Sequence, residues 1–261
     1  MAEKDTAGKP VLEIENITKT FRERGGQRFK AVDDLSMQVC EGECVGIVGE
    51  SGCGKSTLAR IITRLILPDS GTVRFCGTDL TAARGAALRG TYRNMKMIFQ
   101  EPRSSFDPRL TLGESICDAL KSVIDKKEQR KERAEQLLQE VGLDSRFAKA
   151  YPRQVSGGEC QRAAIARAIA QEPKLIICDE ATSALDVSVQ AQVVELLRRI
   201  REKTGVSYLF ISHDLALVSS FCDRTYVLYQ GKVVEEGPTR RIIEQPREAY
   251  TRKLLSSVLA V

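Results

Sequence analysis

The sequence contains no tryptophan and a single histidine, and aromatic residues make up only 5% of its 261 residues. A lone histidine excludes a metal centre built from several imidazole ligands. No segment approaches the roughly 18 consecutive apolar residues that a membrane-spanning helix requires. Residues 1–10 are polar and charged, without the apolar core of a signal peptide. We therefore expect the chain to stay in the cytoplasm, with residues 1–10 as a flexible tail.

Cysteine occurs eight times, but never as the C-x-x-C pair that many metal and redox sites use. We interpret most of these cysteines as small buried hydrophobic residues of a protein in a reducing compartment. Hydrophobic residues make up 42% of the chain and charged residues 29%, which is typical of a soluble globular protein. The formal net charge of +5 neither requires nor excludes nucleic acid as a partner.

Hydrophobic patterning in the first third predicts two kinds of strand. Residues 11–15 and 35–39 alternate apolar and polar side chains, which predicts half-buried strands of a mixed or antiparallel layer. Residues 44–49 form a nearly continuous apolar run, as expected of a strand covered on both faces. From Ser56 onward apolar residues recur at helical spacing until residues 68–71, Pro-Asp-Ser-Gly, end the pattern.

The rest of the chain divides into a helical part and an alternating part. No buried strand pattern appears between residues 101 and 151, and we predict an α-helical insert over about residues 101–170. Beyond it strands and helices alternate, which implies a parallel sheet with helices on its faces. We predict helices at residues 112–124, 126–141, 161–170 and 193–200, and strands at residues 175–178, 208–211, 226–229 and 232–235.

A glycine-rich segment follows the first buried strand and fits the pattern G-x-x-x-x-G-K-[ST]. Its glycines let backbone N–H groups curl around phosphate oxygens at the N-terminus of a helix. In this pattern Lys55 reaches the β- and γ-phosphates of a nucleotide and Ser56 ligates Mg2+. An ordinary turn is the plainer interpretation, but the flanking strand and helix make a chance match rare. The segment comprises Gly49, Glu50, Ser51, Gly52, Cys53, Gly54, Lys55 and Ser56, followed by Thr57.

Polar side chains also end two later strands of the predicted parallel sheet, where ligands of such sheets bind. Asp179 and Glu180 follow one strand and His213 follows the next. Asp179 is suited to hold Mg2+ and Glu180 to polarise an attacking water. For His213 we favour a hydrogen bond to a γ-phosphate or to water over a purely structural role.

A capping signal precedes the alanine-rich helix that follows residue 156. Ser156 and Glu159 form the S-x-x-E capping box, in which the serine caps the helix and the glutamate reaches back. Gly157 and Gly158 exceed what capping needs. They clear side chains from a positive helix end, which a second anion could then approach closely.

Together these motifs closely resemble the nucleotide-binding subunit of ATP-binding cassette (ABC) transporters over about residues 11–255. The resemblance implies the ABC ATPase fold over residues 11–261: a P-loop NTPase α/β core with a mainly parallel sheet flanked by helices, an N-terminal antiparallel β layer and the α-helical insert. It matches the phosphate loop to residues 49–56, the glutamine loop to Gln100, the signature to residues 156–161, the magnesium aspartate to Asp179, the catalytic glutamate to Glu180, the D-loop to residues 183–186 and the switch histidine to His213.

The resemblance also implies ATP and Mg2+ as cofactors and an ATPase activity that drives transport. It assigns catalysis to Glu180, His213, Gln100 and Lys55, and the metal to Ser56, Gln100 and Asp179. Two such domains would pair head to tail, so that Ser156, Gly157 and Gly158 of one cover the ATP on the phosphate loop of the other, with Asp186 beside it. Two copies or one copy with a related ATPase could form this pair.

Two positions depart from the family pattern. The signature has Glu159 where the family usually has glutamine. The aromatic residue that stacks on adenine, often tyrosine in the family, is Phe21 here, with Phe29 as a second candidate.

Further segments resemble the oligopeptide, dipeptide and nickel importers: residues 49–58, residues 106–111, and Pro246 with residues 250–255. This resemblance implies permease transmembrane subunits as partners, an extracytoplasmic solute-binding protein acting indirectly, and a peripheral position on the cytoplasmic face of the cell membrane. The chain stops soon after Leu255 without the cysteine-containing tail of many peptide importers. We therefore expect no iron–sulfur cluster, and peptide and nickel both stay open as cargo.

Two other functions are compatible with a phosphate loop. ABC-superfamily ATPases that act on DNA or the ribosome typically need a coiled-coil insert, zinc modules or a second cassette, which this sequence lacks, and we expect no nucleic acid partner. A P-loop kinase would leave the signature glycines and His213 without a role.

Overall fold

The computed structural model describes residues 8–22, 28–183 and 185–259, so that residues 1–7 of the predicted tail lie outside the described residues. The strands are β1 (Pro10–Arg22), β2 (Arg28–Cys40), β3 (Cys44–Val48), β4 (Ser70–Phe75), β5 (Thr78–Asp79), β6 (Met95–Ile98), β7 (Leu175–Asp179), β8 (Ser207–Ile211), β9 (Arg224–Tyr229) and β10 (Lys232–Pro238). The helices are α1 (Lys55–Ile62), α2 (Gly85–Asn94), α3 (Leu112–Leu120), α4 (Lys127–Glu140), α5 (Gly157–Ile169), α6 (Val187–Thr204), α7 (Leu215–Phe221), α8 (Thr239–Glu244) and α9 (Ala249–Leu259).

The central sheet has the strand order β10-β9-β3-β8-β7-β6. β10 runs antiparallel to β9, and the other neighbouring strands are parallel. Successive side chains of β3 enter two different hydrophobic clusters, Val45 and Ile47 on one face and Cys44 and Val48 on the other. Side chains of a strand alternate between the faces of a sheet, so the continuous apolar run of β3 reflects cover on both faces, as predicted.

The second sheet is antiparallel, with the order β2-β1-β4-β5, and it covers one face of the central sheet. The sequence predicted its two long strands over only five residues each, because bulges break the alternation: the register of β1 against β2 shifts between Ile14 and Ile17 and again before Lys19. The short strands β4 and β5 were not predicted. Leu12 of β1 and Leu58 of α1 are fully buried in the cluster between the sheets.

Helices cover the other face of the central sheet. Ile116 of α3, Leu137 of α4 and Ile165 of α5 share a hydrophobic cluster with Ile176 and Phe210 of the sheet. The charged side of α4 is solvated and carries surface ion pairs such as Arg133 to Glu140 at 2.7 Å. The boundaries of a helical insert at residues 101 and 170 stay a prediction.

Helix ends follow local signals better than apolar spacing does. The capping box at Ser156 starts α5 four residues before the predicted start, because two glycines and a glutamate occupy the first turn. α3 begins with the same device at Thr111 but ends at Leu120, four residues earlier than predicted. α6 is longer than predicted and ends where Gly205 adopts a φ of 70°, which favours glycine.

All eight cysteines are free thiols and six of them are buried, which confirms that most act as small core residues. Burial raises the pKa of Cys160 to about 11, so that this thiol stays protonated near neutral pH. The buried ones are Cys40, Cys44, Cys53, Cys160, Cys178 and Cys222. In the described ranges, no helix combines the length and the apolar character needed to cross a membrane.

Parallel pairing brings several strand ends to one edge of the central sheet. Ile211 at the end of β8 is paired with Ile47 of β3 and with Asp179 of β7. The backbone continues this register, since Glu180 N–H donates to Ile211 O at 3.0 Å. β6, which the sequence analysis missed, pairs Ile98 with Cys178 and so carries Gln100 toward the same edge.

Gly46 in the middle of β3 lies under α7, and we expect its replacement by alanine to destabilise the protein. A Cβ at this position would lie 2.7 Å from Val218 Cγ1 and 3.2 Å from Cys222 Sγ. Overpacking of this kind costs about 1–3 kcal/mol, so the Gly46→Ala free energy of unfolding, measured by urea denaturation, should fall by that amount.

The matched control is Gly90→Ala in α2. Nothing lies within 4 Å of a Cβ built on Gly90, and its φ is not positive. Alanine is favoured over glycine in a helix by about 0.5–1 kcal/mol, so this variant should gain stability. Equal effects of the two substitutions would contradict the close approach of α7 to β3.

Candidate active site

The glycine-rich loop between β3 and α1 is shaped by close backbone contacts. Gly54 has a φ of 109°, and a Cβ there would lie 2.1 Å from Ala31 O of β2. Gly49 has a φ of 154°, and its Cβ would lie 2.3 Å from Leu228 O of β9. Both positions need glycine, because a side chain would collide with a neighbouring strand.

Lys55 begins α1 and turns its ammonium back into the loop. Its Nζ donates to Gly49 O at 2.8 Å and to Glu50 O at 2.9 Å, and the residue is only 4% exposed. Burial of an ammonium group is costly unless the group has polar partners, and here the two backbone carbonyls provide them. The loop therefore holds one concentrated positive charge at the N-terminus of a helix, which favours an anion.

A pair of oxygen ligands lies next to this lysine. Ser56 Oγ donates to Asp179 Oδ1 at 3.0 Å across the ends of α1 and β7. Burial raises the pKa of Asp179, and the hydrogen bond from Ser56 opposes that rise. Within the described residues no group of three or more His, Cys, Asp or Glu could hold a metal ion. The hydroxyl and the carboxylate suit a hard cation such as Mg2+ that takes its remaining ligands from phosphate and water.

Glu180 and His213 approach each other beside that pair. Glu180 adopts a φ of 49°, uncommon for a non-glycine residue, and its side chain is 19% exposed. Its Oε1 lies 3.6 Å from His213 Nδ1, and the imidazole is 58% exposed. The carboxylate is therefore partly accessible to water, and the histidine approaches it from the more exposed side.

The phosphate loop, Gln100 and Glu180 border one cleft of about 490 Å3. Two aromatic rings, Phe21 and Phe29, contribute to its lining and are paired across β1 and β2 with centroids 6.0 Å apart and planes inclined by 33°. The walls are formed by Phe21, Phe29, Ala31, Ser51, Gly52, Gly54, Lys55, Ser56, Thr57, Arg60, Gln100 and Glu180. The sequence analysis missed Arg60, although its position four residues after Ser56 places both on one face of α1.

The signature segment lies outside the walls of this cleft. Ser156 Oγ accepts from Glu159 N at 3.3 Å, while Glu159 Oε2 accepts from Ser156 N and from Ser156 Oγ, both at 2.8 Å. These donors hold the pKa of Glu159 below its usual value, so the carboxylate is ionised at pH 7. The capping box that the sequence predicted is thus present. Glu159, the acid that departs from the family pattern, is one of its two members.

The two signature glycines differ in their surroundings. A Cβ on Gly158 would lie 2.8 Å from Val189 Cγ1 of α6, whereas one on Gly157 would meet Leu185 at an ordinary 3.6 Å. Asp186 caps α6, with Val189 N donating to Oδ1 at 3.0 Å. Of the predicted D-loop, residue 184 lies outside the described residues.

One chain therefore gathers only part of the predicted site. Residues of the phosphate loop, Gln100 and Glu180 share the cleft, with Asp179 and His213 in direct contact with them. Residues 156–158 and Asp186 are not among the described residues that line it. This division is the arrangement required if a second chain supplies the signature.

Comparisons with known proteins bear on this arrangement. A family model described as ABC transporter matches residues 32–183. The chain is 44% identical over 254 residues to a probable peptide ABC transporter ATP-binding protein of Sinorhizobium fredii, covering 95% of this chain and 72% of that protein. It is 42% identical over 260 residues to the oligopeptide transport ATP-binding protein OppF of Escherichia coli, covering 96% and 78%. The glutathione import ATP-binding protein GsiA of Pectobacterium atrosepticum is 41% identical over 257 residues, and the match covers 96% of this chain but only 41% of that longer protein.

Solved structures agree with this likeness. The dimeric structure of MJ0796, a bacterial ABC transporter cassette, has a TM-score of 0.80 at 32% identity, covering 88% of this chain and 99% of that one. A dimeric post-hydrolysis state of the same cassette bound to ADP and Pi gives a TM-score of 0.79. The predicted ABC ATPase fold is therefore confirmed. Since the family model covers more than half of the chain and the relatives match nearly all of it, the chain belongs to the ABC transporter family.

Proposed function

We propose that the chain is the ATP-hydrolysing subunit of an importer, in which ATP binding closes a head-to-tail pair of cassettes and hydrolysis reopens it. The observation that carries this proposal is the shared cleft, in which a buried lysine, a polarising carboxylate and two aromatic rings border one space. Its volume and charge suit a nucleoside triphosphate: aromatic rings for the base, and a cation at the helix end for the phosphates.

The phosphate loop would bind the β- and γ-phosphates. In the structure Lys55 Nζ is held by Gly49 O and Glu50 O. When ATP binds, Lys55 would donate to phosphate oxygens in place of one or both carbonyls. Hydrogen bonds between two charged groups are stronger than those to neutral carbonyls. Phe21, with Phe29 beside it, would stack on adenine, since both rings line the cleft.

Ser56 and Asp179 would hold Mg2+, with Gln100, which lines the same cleft as Ser56, as a further oxygen ligand. When bound, the ion neutralises charge that develops on the β- and γ-phosphate oxygens. Glu180 would orient the attacking water and accept its proton. His213 would contact the γ-phosphate from the solvent side and restrain Glu180, which it approaches at 3.6 Å.

A second cassette would supply what one chain leaves open. Ser156, Gly157 and Gly158 lie at the exposed start of α5, away from the cleft of their own chain. Placed over a partner's ATP, this helix end would contact the γ-phosphate with Asp186 close by. Cleavage of the γ-phosphate then removes the anion that both chains hold, and the pair opens.

The relatives suggest the cargo and the partners. Two of them are named for peptide transport and a third for glutathione import. We therefore favour a peptide or similar small solute over nickel. The chain would act at the cytoplasmic face of a membrane with permease subunits, fed by an extracytoplasmic solute-binding protein.

Lys55→Ala should abolish useful ATP binding. Loss of a charge-assisted contact to the phosphates should raise the dissociation constant for ATP by about 100-fold, measured by calorimetric titration. Lys126→Ala removes the same charge from an exposed position in front of α4 and should bind ATP like the wild type. Unchanged affinity in Lys55→Ala would remove this lysine from the proposed role.

Glu180→Gln should bind ATP and hydrolyse it slowly. Removal of the proton acceptor should lower the turnover rate by about 10²- to 10⁴-fold. ATP should then accumulate in a paired species, detected by sedimentation velocity with and without ATP. Sedimentation that does not depend on nucleotide would contradict pairing of two copies, and Glu128→Gln on the exposed side of α4 provides a matched control.

Glu159→Gln should strengthen ATP-dependent pairing. An amide keeps an acceptor for Ser156 N but removes a negative charge from the helix end that would face a triphosphate. Helix-end charges of this kind correspond to about a two- to fivefold change in the dissociation constant of the pair. Glu114→Gln alters the equivalent capping box of α3 and should leave pairing unchanged. Equal effects of both substitutions would show that helix capping, not the signature charge, is responsible.

A further inference from the structure

The C-terminal helix α9 makes a direct contact with the phosphate loop. Tyr250 Oη accepts a hydrogen bond from Glu50 N at 3.0 Å, across 200 residues of sequence. Tyr250 belongs to residues 250–255, a segment that resembles the peptide importers. No step of the proposed ATP hydrolysis gives this segment a role. This contact gives that segment a physical role at the site.

The backbone of Glu50 is important because it contacts both Lys55 and Tyr250. Glu50 O accepts from Lys55 Nζ at 2.9 Å, while Glu50 N donates to Tyr250. The residue is thus held on its carbonyl by the buried lysine and on its N–H by the tyrosine. If the tyrosine hydroxyl were absent, this exposed N–H would pair with water instead, and the loop would lose a fixed contact to α9.

Tyr250 is itself firmly placed. Its ring packs against Tyr229 at the end of β9, with centroids 4.2 Å apart. The two residues directly before α9 are fixed by Glu235, a buried carboxylate of β10 that accepts from Arg247 N at 3.0 Å and from Glu248 N at 3.1 Å. Leu254, one turn after Tyr250, is buried in the main hydrophobic cluster. The hydroxyl is therefore presented to the loop by a rigid support.

A second brace comes from the turn between β9 and β10. Gly231 N donates to Cys53 O at 3.0 Å, and Gly231 O accepts from Asp33 N at 2.9 Å. Neither Tyr250 nor Gly231 lines the cleft, whereas Ser51, Gly52 and Gly54 do. The loop is held from outside at Glu50 and Cys53, which leaves its inner side to the ligand.

We propose that Tyr250 is a positioning residue for the phosphate loop: its hydroxyl holds the Glu50 amide so that Lys55 and the loop N–H groups are arranged for phosphate before ATP arrives. This inference rests on the proposed function. Pre-organisation of this kind raises affinity, because binding then need not order the loop. The apparent dissociation constant rises in proportion as the competent conformation becomes less populated.

Tyr250→Phe tests the inference, since it keeps the ring on Tyr229 and removes only the hydroxyl. Loss of one neutral hydrogen bond should depopulate the competent loop and raise the dissociation constant for ATP by about two- to tenfold in calorimetric titration. Hydrogen–deuterium exchange of the peptide that contains Glu50 should become faster in the nucleotide-free protein. A role limited to docking α9 would lower the melting temperature and leave the affinity unchanged.

Tyr229→Phe is the matched control, because it removes a hydroxyl from the same aromatic pair. Within the described part of the chain, that hydroxyl accepts a hydrogen bond from Gln230 Nε2 at 3.3 Å. Its ATP affinity should equal that of the wild type. Tyr250→Leu removes ring and hydroxyl together, so its melting temperature should fall below that of Tyr250→Phe while its loss of affinity follows the missing hydroxyl.

The outcomes separate this inference from the proposed function. Wild-type protein that binds and hydrolyses ATP, together with unchanged affinity and exchange in Tyr250→Phe, would overturn the inference alone. An equal loss of affinity in Tyr229→Phe would also overturn it, because the aromatic pair and not the hydroxyl would then be responsible. Wild-type protein without affinity for ATP would overturn the proposed function first and the inference with it.

Discussion

The parallel register of β3, β8 and β7 is the constraint on which the site depends. These strands end at one level, and each is followed at once by a chemically distinct segment: the phosphate loop, the segment that carries His213, and Glu180. Because the strands are buried on both faces, a one-residue slip in register would move every side chain into the opposite, already packed layer and is strongly disfavoured. The relative positions of the lysine, the acids and the histidine thus follow from core packing.

Burial gives these groups their chemistry. Lys55 is nearly inaccessible and bound to carbonyls, and Asp179 has its pKa raised by desolvation while Ser56 donates to it. Opposite charges held close together in a poorly hydrated place interact more strongly than they would in water. A nucleotide with its metal ion would complete this set, because each group already lacks part of its solvation. Glu159 is a contrasting case, because it lies near the surface and its carboxylate accepts a hydrogen bond from the N-cap residue of α5.

The site is also supported from outside the local motif. The phosphate loop touches β2 through Gly54, the turn after β9 through Cys53, and α9 through Glu50. Such contacts fix a loop that would otherwise sample many conformations. The loss of conformational entropy then occurs during folding, so ligand binding does not have to order the loop. An ATPase loop of eight residues is therefore held by elements from both ends of the chain.

The sequence by itself determined the parts whose information is local. The strand, loop and helix around Lys55, the capping box at Ser156 and the acids after β7 follow from spacing and residue type over a few residues. The candidate site residues in these segments could therefore be proposed from the sequence and its family resemblance. Tertiary structure decided everything that depends on distant partners. The edge strand β6, the pairing of Phe21 with Phe29 and the hydrogen bond from Glu50 to Tyr250 have no local signal, because side-chain and backbone partners far apart in sequence meet only when the sheets and helices pack.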